Sequence, residues 1–465
     1  HGLTVITGGP GTGKTFLIAS ILRALVESGE ADPGSIALAA PTGKAADRLR
    51  RSVAQALSGI PDPTGAEAEL LAAVPEARTV HRLLGYSPSG DRFRHGEENP
   101  LSERVVVVDE ASMLDLAMTD RLLGSVGPRT RLILVGDADQ LPPGDAGAVL
   151  RDVVAAGGDH VVRLTESYRM DPSHPEGRQI LEAALSLNSG DGPALVGRPG
   201  GREGAVRIVP GTGDLTLSGM ELIRTGDGCR VEEVIAWWDE AIGGTRERLS
   251  LAERPFDAGP AGFDPGGEGR LAALFEASDR ARILCLPRGD AGGTGEAAVN
   301  AILHDRIARG TPGGAGRADG TRGMLPGEPV VMLRNDYEKG LWNGDQGMIV
   351  DVARAGRGRR PVRSAVFQSA GSHVSWPVEA LGDRIQLSHA ITVHRAQGSE
   401  HDRIAVVLPH EDMRLVSREV LYTAITRARK SVLIVGDDEL VEIAAGRRLE
   451  RHSGLAGRHG GRIGS

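Results

Sequence analysis

Leu3-Thr4-Val5-Ile6-Thr7-Gly8-Gly9-Pro10-Gly11-Thr12-Gly13-Lys14-Thr15 decides the fold of this 465-residue chain. An apolar strand candidate, Leu3 to Ile6, runs into a glycine-rich turn, and a helical stripe of Leu17, Ile21 and Leu25 follows it. Strand, loop and helix in that order form a phosphate-binding loop. In the turn Gly8-Gly9-Pro10-Gly11-Thr12-Gly13 the glycines let backbone N–H groups close around phosphate oxygens, and the helix N-terminus adds positive dipole. Lys14 reaches the outer phosphates, and the Thr15 hydroxyl suits Mg²⁺. The expected ligands are ATP and Mg²⁺. GTP has no support, because no Asn-Lys-x-Asp pattern occurs.

Working outward, residues 1 to about 170 alternate apolar strands with helical stretches, the signature of a parallel, helix-covered sheet. The strands are Leu3 to Ile6, Ile36 to Ala40, Val105 to Val108, Leu132 to Val135 and Val161 to Leu164, apolar enough to be buried on both faces. A second alternating section has strands at Ile283 to Leu286, Ile404 to Leu408 and Val432 to Val435. Two α/β lobes are therefore expected. A stretch of β and turn character over about 325 to 381, with Asn343-Gly344-Asp345 as a turn, reads as a small barrel inserted in the second lobe. Between about 186 and 270 the composition shifts to Gly, Pro and Asp, broken by one helix candidate, Val231 to Ile242, and this region is expected to be loosely ordered. Trp237 and Trp238 on that helix read as packing anchors.

Four valines, Val105 to Val108, deliver Asp109-Glu110 from a buried strand. One carboxylate, Asp109, suits the metal; the other, Glu110, suits a base that deprotonates attacking water. Leu132 to Val135 leads to Gly136-Asp137-Ala138-Asp139-Gln140, where Gln140 can sense the terminal phosphate. Arg169, after Glu166-Ser167-Tyr168, and Arg427, in Thr423-Ala424-Ile425-Thr426-Arg427-Ala428-Arg429, are the candidates to neutralise charge as the phosphoryl group leaves.

Other segments suit a polynucleotide backbone. Ala40-Pro41-Thr42-Gly43-Lys44-Ala45-Ala46 has a second Gly-Lys, but Leu38 occupies the first glycine position of a phosphate loop, so it is no second such loop. Thr42, Gly43 and Lys44 can present a hydroxyl, N–H groups and a cation to a phosphodiester. Thr79, His81 and Arg82 offer a similar set, as do Thr392, His394 and Gln397, with Glu400 able to reach a ribose.

The net charge of −8 argues against a nucleic-acid partner taken alone, but its distribution is uneven. Arg354, Arg357, Arg359, Arg360 and Arg363 form one basic run; Arg447, Arg448, Arg451, Arg458 and Arg462 form a basic tail. Solvated charge and phosphate contact are both open for these runs. Of the 54 lysines and arginines only Lys14, Lys44, Lys339 and Lys430 are lysine, a bias in which a retained lysine hints that arginine's planar fork would not serve. Cys229 and Cys285 lack a paired spacing, which disfavours a disulfide framework or a cysteine zinc site; Cys285 reads as a core strand residue. No eighteen-residue apolar run and no charged-then-apolar leader occurs, so neither a membrane span nor secretion is expected and the cytoplasm is the expected location. The first residue, His1, stands at the mouth of a strand, so further sequence upstream is expected.

The motif string GGPGTGKT, APTGKAA, TVHRLLG, VVVVDEASMLD, LILVGDADQLPPGDAGAVL, ESYR, ITVHRAQGSE and LYTAITRARK resembles the superfamily 1B DNA helicases of the RecD type over nearly the whole chain. The blend of HRLLG, Gly144 to Leu150 and the ending Arg448 to Ala456 is similar to members that serve within the RecBCD recombination nuclease (exodeoxyribonuclease V), and stand-alone RecD2-like helicases share most of the motifs. The resemblance implies two RecA-like lobes with ATP between them, single-stranded DNA across their top, travel 5′ to 3′, and RecB- and RecC-like partners at duplex ends. It puts Lys14, Thr15, Asp109, Glu110, Gln140, Arg169 and Arg427 on ATPase positions, and Thr42, Lys44, His81, Thr392 and His394 on the DNA track. It divides the chain into a first lobe, 1–172, with a candidate strand-separating pin at 85–104 (Ser87 to Asn99, with Phe93); the start of the second lobe, 173–324, with a variable insertion at about 190–270; an SH3-like module, 325–381; and the rest of the second lobe with the tail, 382–465. The family's upstream glutamine motif and its N-terminal docking domain do not occur in this stretch. Stand-alone helicase action and a nucleotide switch that regulates partners without unwinding are the alternatives. Nuclease chemistry is not expected here, since Asp336-Tyr337-Glu338-Lys339, the nearest acid–lysine cluster, reads as a hairpin end.

Overall fold

The computed structural model describes residues 2–59, 64–87, 90–144, 147–167, 175–196, 204–225, 230–260, 262–310, 323–354, 360–369 and 372–449. Two compact units emerge: His1–His174 with Gln397–Ser399 and Leu449–Ser465, and Pro175–Ala396 with Glu400–Arg448.

The first unit is built on six strands, β1 (Leu3–Gly8), β2 (Ile36–Ala40), β3 (Ala77–Thr79), β4 (Val105–Val108), β5 (Arg131–Gly136) and β6 (Val161–Leu164). They pair in the order β3-β2-β4-β5-β1-β6, every pair parallel. Side chains alternate across a strand, so an apolar run feeds both faces. Val106, Val108, Leu132, Leu134 and Val5 enter one core with Leu122, Leu150 and Val154 from helices Leu116–Gly124 and Val149–Ala156. Val105, Val107, Ile133, Val135 and Ile6 enter the other with Ile18, Leu22, Leu49 and Val53, from helices Lys14–Glu27 and Gly43–Ser58. Thr7, Asp109, Asp137, Thr42 and Thr79 all lie at or just beyond the carboxyl ends of strands, the edge where open parallel sheets bind ligands.

The second unit holds another all-parallel sheet, made of β7 (Arg207–Val209), β8 (Gly219–Ile223), β11 (Ala281–Cys285), β17 (Ala390–Thr392), β18 (His401–Val407) and β19 (Ala428–Val435), in the order β17-β11-β18-β19-β8-β7. Its remaining strands are β9 (Phe256–Gly259), β10 (Gly262–Phe263), β12 (Pro329–Met332), β13 (Gln346–Arg354), β14 (Val362–Ser369), β15 (Ser372–Pro377) and β16 (Ile385–Leu387). These make a mixed sheet in which β13 pairs antiparallel with β12 and β14 and parallel with β9. It is the inserted β module.

The expectation of loose order between 186 and 270 is corrected. β8 lies inside the parallel sheet between β19 and β7 and is buried along its length, and β9 and β10 join the β module. The glycines masked strands that are short rather than absent. Helix Val231–Ala241 forms as expected, with Trp238 1% exposed in the core beside Val299 and Leu303. Cys285 is fully buried in β11, and burial pushes its thiol pKa up. Cys229 lies outside the described residues. No helix among the described residues is long and apolar enough to cross a membrane.

Candidate nucleotide and nucleic-acid site

The loop after β1 needs its glycines for identifiable reasons. A Cβ on Gly8 would sit 2.7 Å from Thr12 Oγ1 and 2.9 Å from Leu164 Cβ, so only glycine fits there. Gly11 and Gly13 take positive φ values of 73° and 79°, the left-handed region open to glycine. Thr12 Oγ1 donates to Gly9 O at 2.8 Å, and Ser167 Oγ donates to Pro10 O at 3.0 Å, which braces the loop from the segment after β6. Lys14 Nζ donates to Gly8 O at 2.8 Å and Gly9 O at 2.9 Å, holding its cation across the loop mouth. Thr15 follows in the first helical turn.

Asp109 and Glu110 are 6% and 7% exposed. Asp109 N–H extends the ladder to Ala39 O, and Asp109 Oδ1 accepts the Glu110 N–H at 2.8 Å. Glu110 adopts a left-handed backbone, φ 52°, an unusual state for a residue with a Cβ and one that turns the chain sharply out of the strand. Burial, and then the Glu110 charge, push the Asp109 carboxyl up to about 6, against the pull of Arg48 and Lys14. The Asp109 carboxylate and the Thr15 hydroxyl offer the oxygen ligands that a hard divalent cation takes. A divalent cation with phosphate oxygens completes such a set, so these residues fit a magnesium nucleotide.

Gln140 is 5% exposed and donates from Nε2 to Asp137 Oδ2 at 3.2 Å; its Oε1 has no hydrogen-bond partner among the described residues. Gln397 donates to Leu141 O at 2.6 Å, close in sequence to Gln140. Arg48 was missed in sequence, one arginine of many on an amphipathic helix. Its NH2 lies 3.2 Å from Glu110 Oε1 and its NH1 3.4 Å from Gly398 O. Helix phase from Lys44, four residues earlier, is the signal that could have found it. Arg169 lies outside the described residues.

The threonines of the three segments expected to meet a polynucleotide backbone share one device. Thr42 Oγ1 accepts the Ala45 N–H at 3.2 Å, Thr79 Oγ1 accepts the Arg82 N–H at 3.2 Å, and Thr392 Oγ1 accepts the Arg395 N–H at 3.4 Å. Each hydroxyl oxygen caps a turn, which leaves its proton to offer to an anion. Gly43 and Lys44 open the helix that Thr42 caps. His81 and Arg82 are exposed. The His81 ring lies 5.5 Å from Tyr86 and 6.0 Å from Phe93, centroid to centroid, and Arg121 lies over Phe93 at 5.1 Å. Bridges Ser87↔Arg92 and Gly96↔Asn99 shape the segment expected as a pin; residues 88 and 89 fall outside the description.

In the second unit, His394 is exposed and Arg395 NH1 donates to the buried Glu296 Oε1 at 2.6 Å, which also accepts Gln386 Nε2 at 2.8 Å. Arg427 is 3% exposed, with Nε donating to Thr423 O at 3.2 Å. Glu400 pairs with Arg429 at 3.4 Å. Arg363 pairs with Asp351 at 2.7 Å and Arg447 with Asp412 at 2.6 Å, so these two members of the basic runs are held by carboxylates. Arg357, Arg359, Arg451, Arg458 and Arg462 lie outside the described residues, as does the Arg354 side chain. Asp336 pairs with Lys339 at 2.8 Å and with Arg384, tying off a hairpin closed by the Asp336↔Leu341 bridge.

A phosphate loop and a buried acid pair on the carboxyl edge of a parallel sheet define a P-loop ATPase. Residues 1–146 match the model of an AAA domain and residues 387–435 that of a UvrD-like helicase C-terminal domain. The RecBCD enzyme subunit RecD of Mycobacterium tuberculosis is 37% identical over 459 residues, 98% of this chain and 70% of that protein. The ATP-dependent RecD2 DNA helicase of Deinococcus radiodurans is 33% identical over 97% of this chain and 49% of its own length. A crystal structure of Bacteroides Pif1 bound to ssDNA aligns with 95% of this chain and 92% of its own, at 17% identity and a TM-score of 0.41. The chain belongs to the RecD family of DNA helicases.

Proposed function

We propose that this RecD-family helicase hydrolyses ATP with Mg²⁺ and uses it to travel 5′ to 3′ along single-stranded DNA, as the RecD subunit beside RecB- and RecC-like partners at duplex ends. The observation that carries the reading is the pairing of the phosphate loop with Asp109 and Glu110 on one sheet edge, next to a capped helix that begins Gly43-Lys44. Thr15 and Asp109 hold the metal, whose charge offsets that of the phosphates. Lys14 grips the outer phosphates. Glu110 accepts the proton of attacking water, and Gln140 hydrogen-bonds the terminal phosphate. Arg169 and Arg427 neutralise the charge on the departing phosphoryl group. Thr42, Gly43, Lys44, Thr79, His81, Arg82, Thr392, His394 and Gln397 contact the DNA backbone, where donors fix position without reading sequence. Alternation between nucleotide states that favour different grips turns hydrolysis into movement.

The test is ATP turnover with and without single-stranded DNA, followed by unwinding of duplexes carrying only a 5′ or only a 3′ tail, alone and with RecB- and RecC-like subunits. DNA-stimulated turnover and unwinding from the 5′ tail are expected. Turnover indifferent to DNA would leave a nucleotide switch instead, and unwinding from the 3′ tail alone would reverse the polarity.

A further inference from the structure

We propose that Arg48 is a positioning residue that restrains Glu110 until DNA arrives, by exchanging a carboxylate partner for a phosphodiester. The inference rests on the ATPase reading above and deepens it. Helix Gly43–Ser58 starts at the Thr42-Gly43-Lys44 turn and presents Arg48 one turn later, on the same face as Lys44. The guanidinium reaches Glu110 Oε1 at 3.2 Å, where Glu110 is 9% exposed in its side chain and Arg48 34%. The other arm of the fork lies 3.4 Å from the carbonyl of Gly398, within Gln397–Ser399 of the same unit. Gly398 is itself packed on this helix start: a Cβ there would meet Ala45 Cβ at 3.4 Å and Thr42 Oγ1 at 3.9 Å. One side chain thus joins the candidate base to two segments read as backbone contacts.

The chemistry of the fork makes the link switchable. Arginine binds carboxylate and phosphodiester with the same bidentate geometry, and each presents one negative charge on two oxygens, so one can take the place of the other on the fork. While Arg48 holds Glu110, the carboxylate has a fixed partner and is drawn away from the role of accepting a water proton. A phosphodiester lodged on Lys44 and the Thr42 cap comes within reach of the next cation along the face. Arg48 then has a second anion to bind, and Glu110 is released to orient water. A partly buried pair can carry this load where an exposed one could not, because solvent screens it less.

The test compares Arg48→Ala and Arg48→Lys with the wild type, measuring ATP turnover across a titration of single-stranded DNA, DNA affinity by anisotropy, and thermal stability. In Arg48→Ala, turnover without DNA is expected to rise roughly tenfold, about what one charge-assisted contact is worth, while turnover at saturating DNA changes less than about twofold. The stimulation ratio collapses. Arg48→Lys keeps a cation for Glu110 and is expected to restore low DNA-free turnover, a rescue that a merely structural role would not produce. Unchanged or reduced DNA-free turnover in a folded Arg48→Ala protein, with the wild type still stimulated by DNA, overturns the proposal alone. Absence of DNA stimulation in the wild type overturns the ATPase reading beneath it. If Arg48→Ala is unstable, Arg48→Gln is measured in its place against the same two outcomes.

Discussion

At the scale of single residues, the proposed function divides the site into groups that bind and groups that react, and each can be tested alone. Lys14→Ala is expected to abolish DNA-stimulated ATP turnover, by a factor on the order of 10² to 10³, because the preorganised cation at the outer phosphates is lost; turnover equal to wild type would remove the phosphate loop from the chemistry. Glu110→Gln keeps the shape and removes the proton acceptor. It is expected to lower turnover by roughly 10² to 10⁴ while nucleotide affinity stays within about threefold, measured by titration with a fluorescent ATP analogue. Most of these residues were legible in sequence because each is tied to a strand end: four valines announce Asp109, and a glycine run announces Lys14. Arg48 was not, since its meaning depends on helix phase and on the left-handed turn of Glu110. Nor could spacing tell that the hydroxyls of Thr42, Thr79 and Thr392 cap turns.

At the scale of elements, legibility followed burial pattern. The strands Val105–Val108 and Arg131–Gly136 feed two cores by simple alternation, and a run of branched apolar residues signals that directly. Gly219–Ile223 gave no such signal: its Met220-Glu221-Leu222 carries a buried acid that four contacts satisfy, from Arg207, from the Thr216 hydroxyl and from the N–H groups of Thr216 and Leu217. Side-chain pairing between neighbours in space overrode local composition there. The same contrast between local and tertiary demand distinguishes the glycines. Gly8→Ala places a Cβ against Thr12 and Leu164 and is expected to cost about 1–3 kcal/mol with weakened nucleotide binding. Gly34→Ala meets nothing within 4 Å and is expected to be neutral or to stabilise by up to about 1 kcal/mol. Urea unfolding of the two variants checks the pair, and equal effects would mean that the loop tolerates a side chain.

At the scale of the second unit, one buried charge cluster joins its parallel sheet to the β module. Glu328, fully buried just before β12, accepts the Leu325 N–H at 2.7 Å and lies 2.7 Å from His304 Nδ1, on helix Glu296–Gly310, and 3.3 Å from His389 Nε2, just before β17. Burial pushes its carboxyl up, but the hydrogen bonds from His304, His389 and the Leu325 N–H outweigh that and hold it down at about 2. A carboxyl whose folded pKa is depressed stabilises the native state above its ordinary range near 4.5, and that contribution is lost as pH falls from there toward about 2. The shift corresponds to about 3 kcal/mol at neutral pH. Glu328→Gln removes the titrating group and leaves both imidazoles without their anion, so it is expected to lower unfolding free energy by roughly that amount at pH 7 and by progressively less toward pH 3. Unfolding in urea at pH 7, 5, 4 and 3 measures both curves. A gap between wild type and variant that stays constant over that range would mean that Glu328 acts by packing alone. A gap that closes toward acid would show that the ionised carboxylate, rather than the volume of the side chain, supplies the stability at this junction.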